Sequence, residues 1–179
     1  MNSRKRGAGV ARRVALVGVM AATVECGKLA LMFLPNIEVV TILLALYGYT
    51  FGIFGVISAL VFVSIEPIIY GFGLWTVSYY LYWPAVAALF MLLSKIRVKN
   101  RFILTGAAVM LTVWFGILTT LVDIGLLSGF FDNFWYRFSV YYVRGIPFYI
   151  AQTACNLVLF LLFFKFLSSK LQQVKHIFI

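Results

Sequence analysis

Acidic residues are scarce in this chain: five Asp and Glu stand against fifteen Lys and Arg, a net charge of +10. Charge of either sign is scarce too, at 11% of residues, where a soluble domain carries about 25%. Two cysteines, Cys26 and Cys155, both in apolar surroundings, argue against a disulfide framework. The single histidine, His176, leaves no Cys/His or Ser/His/Asp constellation and no cluster with metal-ligand spacing. No glycine-rich phosphate loop is present. Catalysis therefore has little to stand on, and neither a metal nor a cofactor is expected.

What the chain has is apolar surface. It is 64% hydrophobic, with a mean hydropathy of +1.03, so the expected class is an all-α integral membrane protein. Eleven of the fifteen basic residues fall in three clusters without an acid among them. These are Arg4, Lys5, Arg6, Arg12 and Arg13; then Lys95, Arg97, Lys99 and Arg101; then Lys170 and Lys175. In a soluble protein such charge would suggest nucleic acid. Confined to loops between apolar blocks, it suits orientation and contact with anionic lipid, so the bilayer and not a nucleic acid is the expected partner.

Short loops rich in Lys and Arg stay cytoplasmic. If all three clusters do, each block between them crosses an even number of times. At about 20 residues per span, this predicts six transmembrane helices over 14–34, 38–49, 52–71, 74–94, 102–126 and 146–169. Both termini are then cytoplasmic, and residues 1–179 form one membrane domain. The basic start resembles a signal peptide, but the apolar run passes Leu34 without a small-residue cleavage site and is expected to stay as the first helix.

Nine charges lie outside the clusters. Lys165 can snorkel to headgroups. Glu25 and Lys28 sit deep in the first helix, where i, i+3 spacing lets them pair with each other; intramembrane charges are otherwise functional by default. Glu38, Glu66, Asp132, Arg137 and Arg144 map to the outer side, with Asp123 near the outer end of helix five. Glu66-Pro67 followed by Tyr70, Gly71 and Gly73 is either a plain turn or irregular backbone lining an outer cavity.

Trp75, Tyr79, Tyr82 and Trp83 share one helical face through i, i+4, i+7, i+8 spacing. A stripe that descends from the interface is a cavity wall or a packed interface, and Phe62, off that stripe, is expected to matter less. Between Ser128 and Arg144 the aromatics are denser still, with Trp135 and Tyr136 beside Arg137. That segment is an interfacial element or a lid over the cavity, hinged at Gly145-Ile146-Pro147. Asn156 needs a partner inside the bundle, as interhelical glue or a ligand contact. On helix one, Ala15, Gly18 and Ala22, with Ala11 before them, form a stripe of small residues open to close helix approach.

Taken together, these segments resemble a substrate-binding S component of the energy-coupling-factor vitamin transporters, over nearly the whole chain. The resemblance is carried by Lys28, then Leu34-Pro35-Asn36-Ile37-Glu38-Val39-Val40-Thr41, Glu66 to Trp75, Tyr82-Trp83-Pro84, and Gly145-Ile146-Pro147 with Asn156. The small-residue motif stands as Ala11-Arg-Arg-Val-Ala15 and Gly18-x-x-x-Ala22. The resemblance implies capture of a vitamin at the outer face by loops one, three and five. It also implies a transmembrane coupling protein and two cytoplasmic ATPases as partners, with Ala11, Ala15, Gly18 and Ala22 toward the coupling protein. It is nearest to the cobalamin-specific type, with a queuosine precursor or another small vitamin as alternatives. A self-contained ion-coupled carrier using Glu25, Lys28, Glu66 and Asp123 is the competing class.

Overall fold

The computed structural model describes residues 2–178, of which the side chains of residues 2–6, Ala8 and Ser128 lie outside the described set. Every regular element among the described residues is helical: α1 (Asn2–Ala30), α2 (Val40–Phe51), α3 (Ile53–Tyr70), α4 (Leu74–Lys95), α5 (Arg101–Ser128), α6 (Phe134–Leu159) and α7 (Lys165–Phe178). A π-helical turn, Phe160–Phe164, joins α6 to α7 without a break. Four helical stretches are long and apolar enough to cross a membrane: Ile53–Tyr70, Leu74–Lys95, Arg101–Leu127 and Phe134–Phe178. Their outward faces carry Leu60, Leu81, Met110, Val113, Leu157 and Leu162. Such a skin suits lipid, and the chain is a helical membrane protein.

At the centre stands α2, whose residues are nearly all buried. Twelve residues span about 18 Å at 1.5 Å each, short of the roughly 30 Å of hydrocarbon. Enclosure by its neighbours makes up for the shortfall, since α2 need not meet lipid along its length. Two glycines permit it. A Cβ on Gly48 would lie 2.0 Å from the Ala87 carbonyl oxygen of α4, and one on Gly55 of α3 would lie 2.3 Å from the Tyr47 backbone. Helix α1 packs chiefly on α3 and buries Leu16, Met20, Ala21 and Val24, and α5 pairs with both α4 and α6.

Helix ends follow from local chemistry. Asn100 caps α5 by accepting from Phe102 N at 2.8 Å, and Thr76 Oγ1 accepts from Gly73 N at the start of α4. Arg97 takes a left-handed backbone, φ 60°, as α4 closes with Val98 N donating to Leu93 O.

Four sequence expectations need correction. The first helix, expected over 14–34, runs Asn2–Ala30, and residues 31–34 leave it as turns. The sixth helix, expected over 146–169, starts at Phe134 and runs to Phe178 with the π turn inside it. Gly145 and Pro147 lie within α6, so no hinge separates a lid from the helix. Lys28 pairs with Glu66 of α3, not with Glu25 one turn away. The basic clusters do converge. Lys99 and Lys165 line one cavity, Lys95 and Lys175 line the next, and the Arg13 guanidinium sits 5.7 Å from the Phe54 ring bordering that second cavity.

Candidate functional site

At the end of the bundle away from those cavities lies a cavity of about 230 Å³. Its rim is the irregular segment after α1, which supplies Met32, Pro35, Asn36 and Glu38. Lys28 reaches it from α1, Phe62 from α3, Tyr79 and Trp83 from α4, Phe115 from α5 and Gln152 from α6. Asn36 has a left-handed backbone, φ 58°, which Asn tolerates better than most residues, so it shapes the rim as well as bordering it.

Glu38 is fixed at the start of α2. Its Oε2 accepts from Thr41 N at 2.8 Å and its Oε1 accepts from the Thr41 hydroxyl, which sets a carboxylate against the positive end of a helix. Asn156 Nδ2 donates to Glu38 Oε1 at 2.9 Å and to Thr112 Oγ1 at 3.1 Å. Asn156 therefore ties α6 to α5 and to the rim, the glue role, and stands behind the cavity wall.

Lys28 is the cavity's cation. It donates to Glu66, which is wholly buried, and its Nζ lies 4.4 Å from the Tyr70 ring centroid and 5.4 Å from that of Tyr79. Glu25 is also buried and lies within electrostatic reach of both partners. The Glu25 carboxyl faces that of Glu66 within hydrogen-bonding reach. Two carboxyls thus share one ammonium in a low-dielectric pocket, an arrangement that holds Lys28 tightly.

The aromatic stripe of α4 divides. Tyr79 and Trp83 form the wall, edge-to-face at 5.6 Å, with Trp83 meeting Phe115 at 5.8 Å. Trp75 extends the stack onto Tyr79 at 5.1 Å, and Tyr82 is buried behind it against Phe115 at 4.5 Å. The Trp83 indole N–H is buried without an acceptor among the described residues. Donors (Lys28, Trp83), acceptors (Glu38, Gln152) and flat faces therefore surround one small volume, which suits a compact, planar, polar-edged ligand.

Other expected contacts fall elsewhere. Trp135 and Tyr136 are exposed on α6, Arg144 is exposed further along it, and none of them reaches the cavity. Arg137 is spent on structure, its Nη2 donating to Gly129 O at 3.0 Å and Phe131 O at 3.1 Å. Asp123 accepts from the Tyr141 hydroxyl at 3.1 Å, binding α5 to α6. Phe62 lies on the wall after all, and Gln152 and Phe115 were missed. Gln152, one helical turn before Asn156, carried the clearer signal as a second amide on an apolar helix. Ala11, Ala15, Gly18 and Ala22 all face outward on α1, and a Cβ on Gly18 would meet nothing within 4 Å. Among the described residues no group of three or more His, Cys, Asp or Glu could share a metal ion.

No protein-family model matches the chain, and no curated protein or solved structure matches it either.

Proposed function

We propose that the protein is the substrate-capture subunit of an energy-coupling-factor importer, binding a small vitamin-like molecule at the outer face of a prokaryotic plasma membrane. Six crossings, with both termini and the three basic clusters in the cytoplasm, follow from the loop charges. A transmembrane coupling protein would dock on the exposed Ala11, Ala15, Gly18 and Ala22 stripe, and two cytoplasmic ATPases would supply the energy.

The observation that carries this reading is the cavity itself: aromatic walls, one held ammonium and two acceptors, at the end opposite the basic clusters. Its volume also bears on the ligand. About 230 Å³ falls below the roughly 300–1,000 Å³ of pockets for drug-sized molecules, and a corrinoid is larger still. The cavity thus favours a queuosine precursor or another small vitamin over cobalamin.

The test is mass spectrometry of small molecules that co-purify with the protein, followed by binding to the purified chain. A compact heteroaromatic ligand is the expected result, and a purified, folded protein that carries and binds none would overturn the reading. The buried Glu25–Lys28–Glu66 group supports an ion-coupled carrier as the second reading. Uptake by this protein alone in energised vesicles would favour the carrier, and uptake that requires the ATPases would favour the importer.

A further inference from the structure

Beneath the start of α3, at the basic end of the bundle, lies a second cavity of about 270 Å³. Two lysines from distant parts of the chain meet there: Lys95, the last residue of α4, and Lys175 on α7. The chain's five acids, Glu25, Glu38, Glu66, Asp123 and Asp132, are all elsewhere. Both side chains are exposed at the edge of the cavity and no carboxylate lies among its walls, so the local field is positive.

An independent feature points the same way. Thr50 lines the cavity and is only 1% exposed, yet its Oγ1 has no hydrogen-bond partner among the described residues. Buried hydroxyls ordinarily find one, and an anion's oxygen would accept from it. The cavity borders the N-terminus of α3 at Gly52 and Phe54, but the C-terminal turns of α2 and α4 line it as well, so the helix dipoles give an anion no net preference and the lysines and Thr50 carry the argument.

The frame is fixed. The Tyr49 hydroxyl donates to the Val98 carbonyl at 2.8 Å, pinning the turn after α4, and Gly48 is wedged against Ala87. On the other side of Tyr49 lies the cavity of about 200 Å³ with Lys99, Lys165 and Ser168, which extends the positive field.

We propose that the Lys95–Lys175–Thr50 cavity binds the phosphate of an anionic phospholipid headgroup. Phosphate is the shared chemistry of a lipid and of the free ion. Phe51, Phe54 and Met91 in the wall favour the lipid, because a free ion makes no use of apolar surface whereas the glycerol and acyl root do. Basic pockets between helices at headgroup level commonly hold anionic lipids. The proposal stands independently of what the outer cavity binds.

The experiment uses the full chain in neutral detergent. Native mass spectrometry with added phosphatidylglycerol or phosphatidylcholine reads lipid retention, and thermal unfolding reads protection. Inorganic phosphate and an acidic peptide serve as separate arms. Phosphatidylglycerol should be retained and should protect, while phosphatidylcholine, phosphate and peptide at equal concentration should not. Each lysine near anionic lipid contributes roughly fivefold in affinity, so Lys95→Gln with Lys175→Gln should weaken retention about thirtyfold. Thr50→Val, which keeps the shape and removes only the hydroxyl, should weaken it severalfold and guards against misfolding of the double variant. Arg144→Gln, exposed on α6 and outside the basic clusters, should retain lipid as the wild type does. Retention unchanged in folded Thr50→Val and double-lysine variants would overturn the site. Equal protection by inorganic phosphate, or protection by the acidic peptide alone, would overturn the headgroup assignment.

Discussion

Removing the Lys28 ammonium should harm the fold more than removing its partner carboxylate on Glu66, although the two form one ion pair. Glu66 is fully buried, and the Lys28 side chain is 25% exposed. Lys28→Met leaves two buried carboxyls, Glu66 and Glu25, without the cation they share. Breaking a buried pair from one side costs roughly 3–5 kcal/mol, and the partial exposure of Lys28 puts this case near the lower figure. Glu66→Gln is milder, because Lys28 keeps Glu25 within reach and the amide still accepts; about 1–2 kcal/mol is expected. The double variant removes both charges and should cost less than the two singles together, with a coupling of about 2 kcal/mol. For a chain of this size each kcal/mol moves the unfolding midpoint by about 2–4 °C. Tryptophan fluorescence, reported by four Trp, should therefore show Lys28→Met lowest by about 6–12 °C. Strict additivity in the double variant, or a larger loss for Glu66→Gln, would refute the shared-cation account.

Gly48→Ala should destabilise the α2–α4 crossing by about 1–3 kcal/mol or more, since its Cβ would sit 2.0 Å from the Ala87 oxygen; Gly18→Ala, into open space, should stay within about 0.5 kcal/mol in the same melt. Trp83→Ala should weaken binding of the co-purified ligand about tenfold, at the upper end for a stacking contact, while Trp135→Ala leaves the titration unchanged. In a background lacking Cys26 and Cys155, an impermeant thiol reagent applied to intact cells should label a cysteine at Asn133 but not one at Val98, and the reverse pattern would invert the topology. Gly18→Leu should bind ligand normally when purified, yet fail in uptake with the complete transporter.

Hydropathy and basic loops made most of the helices legible. Gly71 punctuates the chain where a local reading expects a break, and α3, α4 and α5 lie within a residue or two of their expected limits. The long last helix was not legible, because Gly145 and Pro147 carry the local signature of a break. Proline within a helix forfeits one hydrogen bond, which packing of α6 along α5 offsets. Within the site, Asn36, Glu38, Tyr79 and Trp83 could be found from residue type and spacing. Phe62 and Phe115 could not, because an apolar position on a lipid-facing helix and one on a cavity wall look alike until the helices are assembled, whereas Gln152, an amide on an apolar helix, was legible by residue type and was missed. The Lys28–Glu66 pairing was hidden for the same reason: i, i+3 spacing offered a local partner, and only the packing of α1 on α3 supplies the nearer one.

The π turn at Phe160–Phe164 gives the last helix a property that neither of its ends has alone. From Phe134 to Phe178 it is one 45-residue rod, about 67 Å long, with Gln152 at the aromatic cavity and Lys175 at the basic end. The turn stacks Phe160 on Phe164 at 5.0 Å and seats both against Phe90. An added residue within a helix advances everything beyond it by about 100° of rotation. The turn therefore acts as an indexing key between two faces that share one axis. Deleting a single residue there would leave Gln152 and Asn156 where they are, yet swing Lys165 and Lys175 away from their cavities. One chain segment thus serves two chemistries whose angular settings can be changed separately, although any tilt or slide of the rod must carry both together.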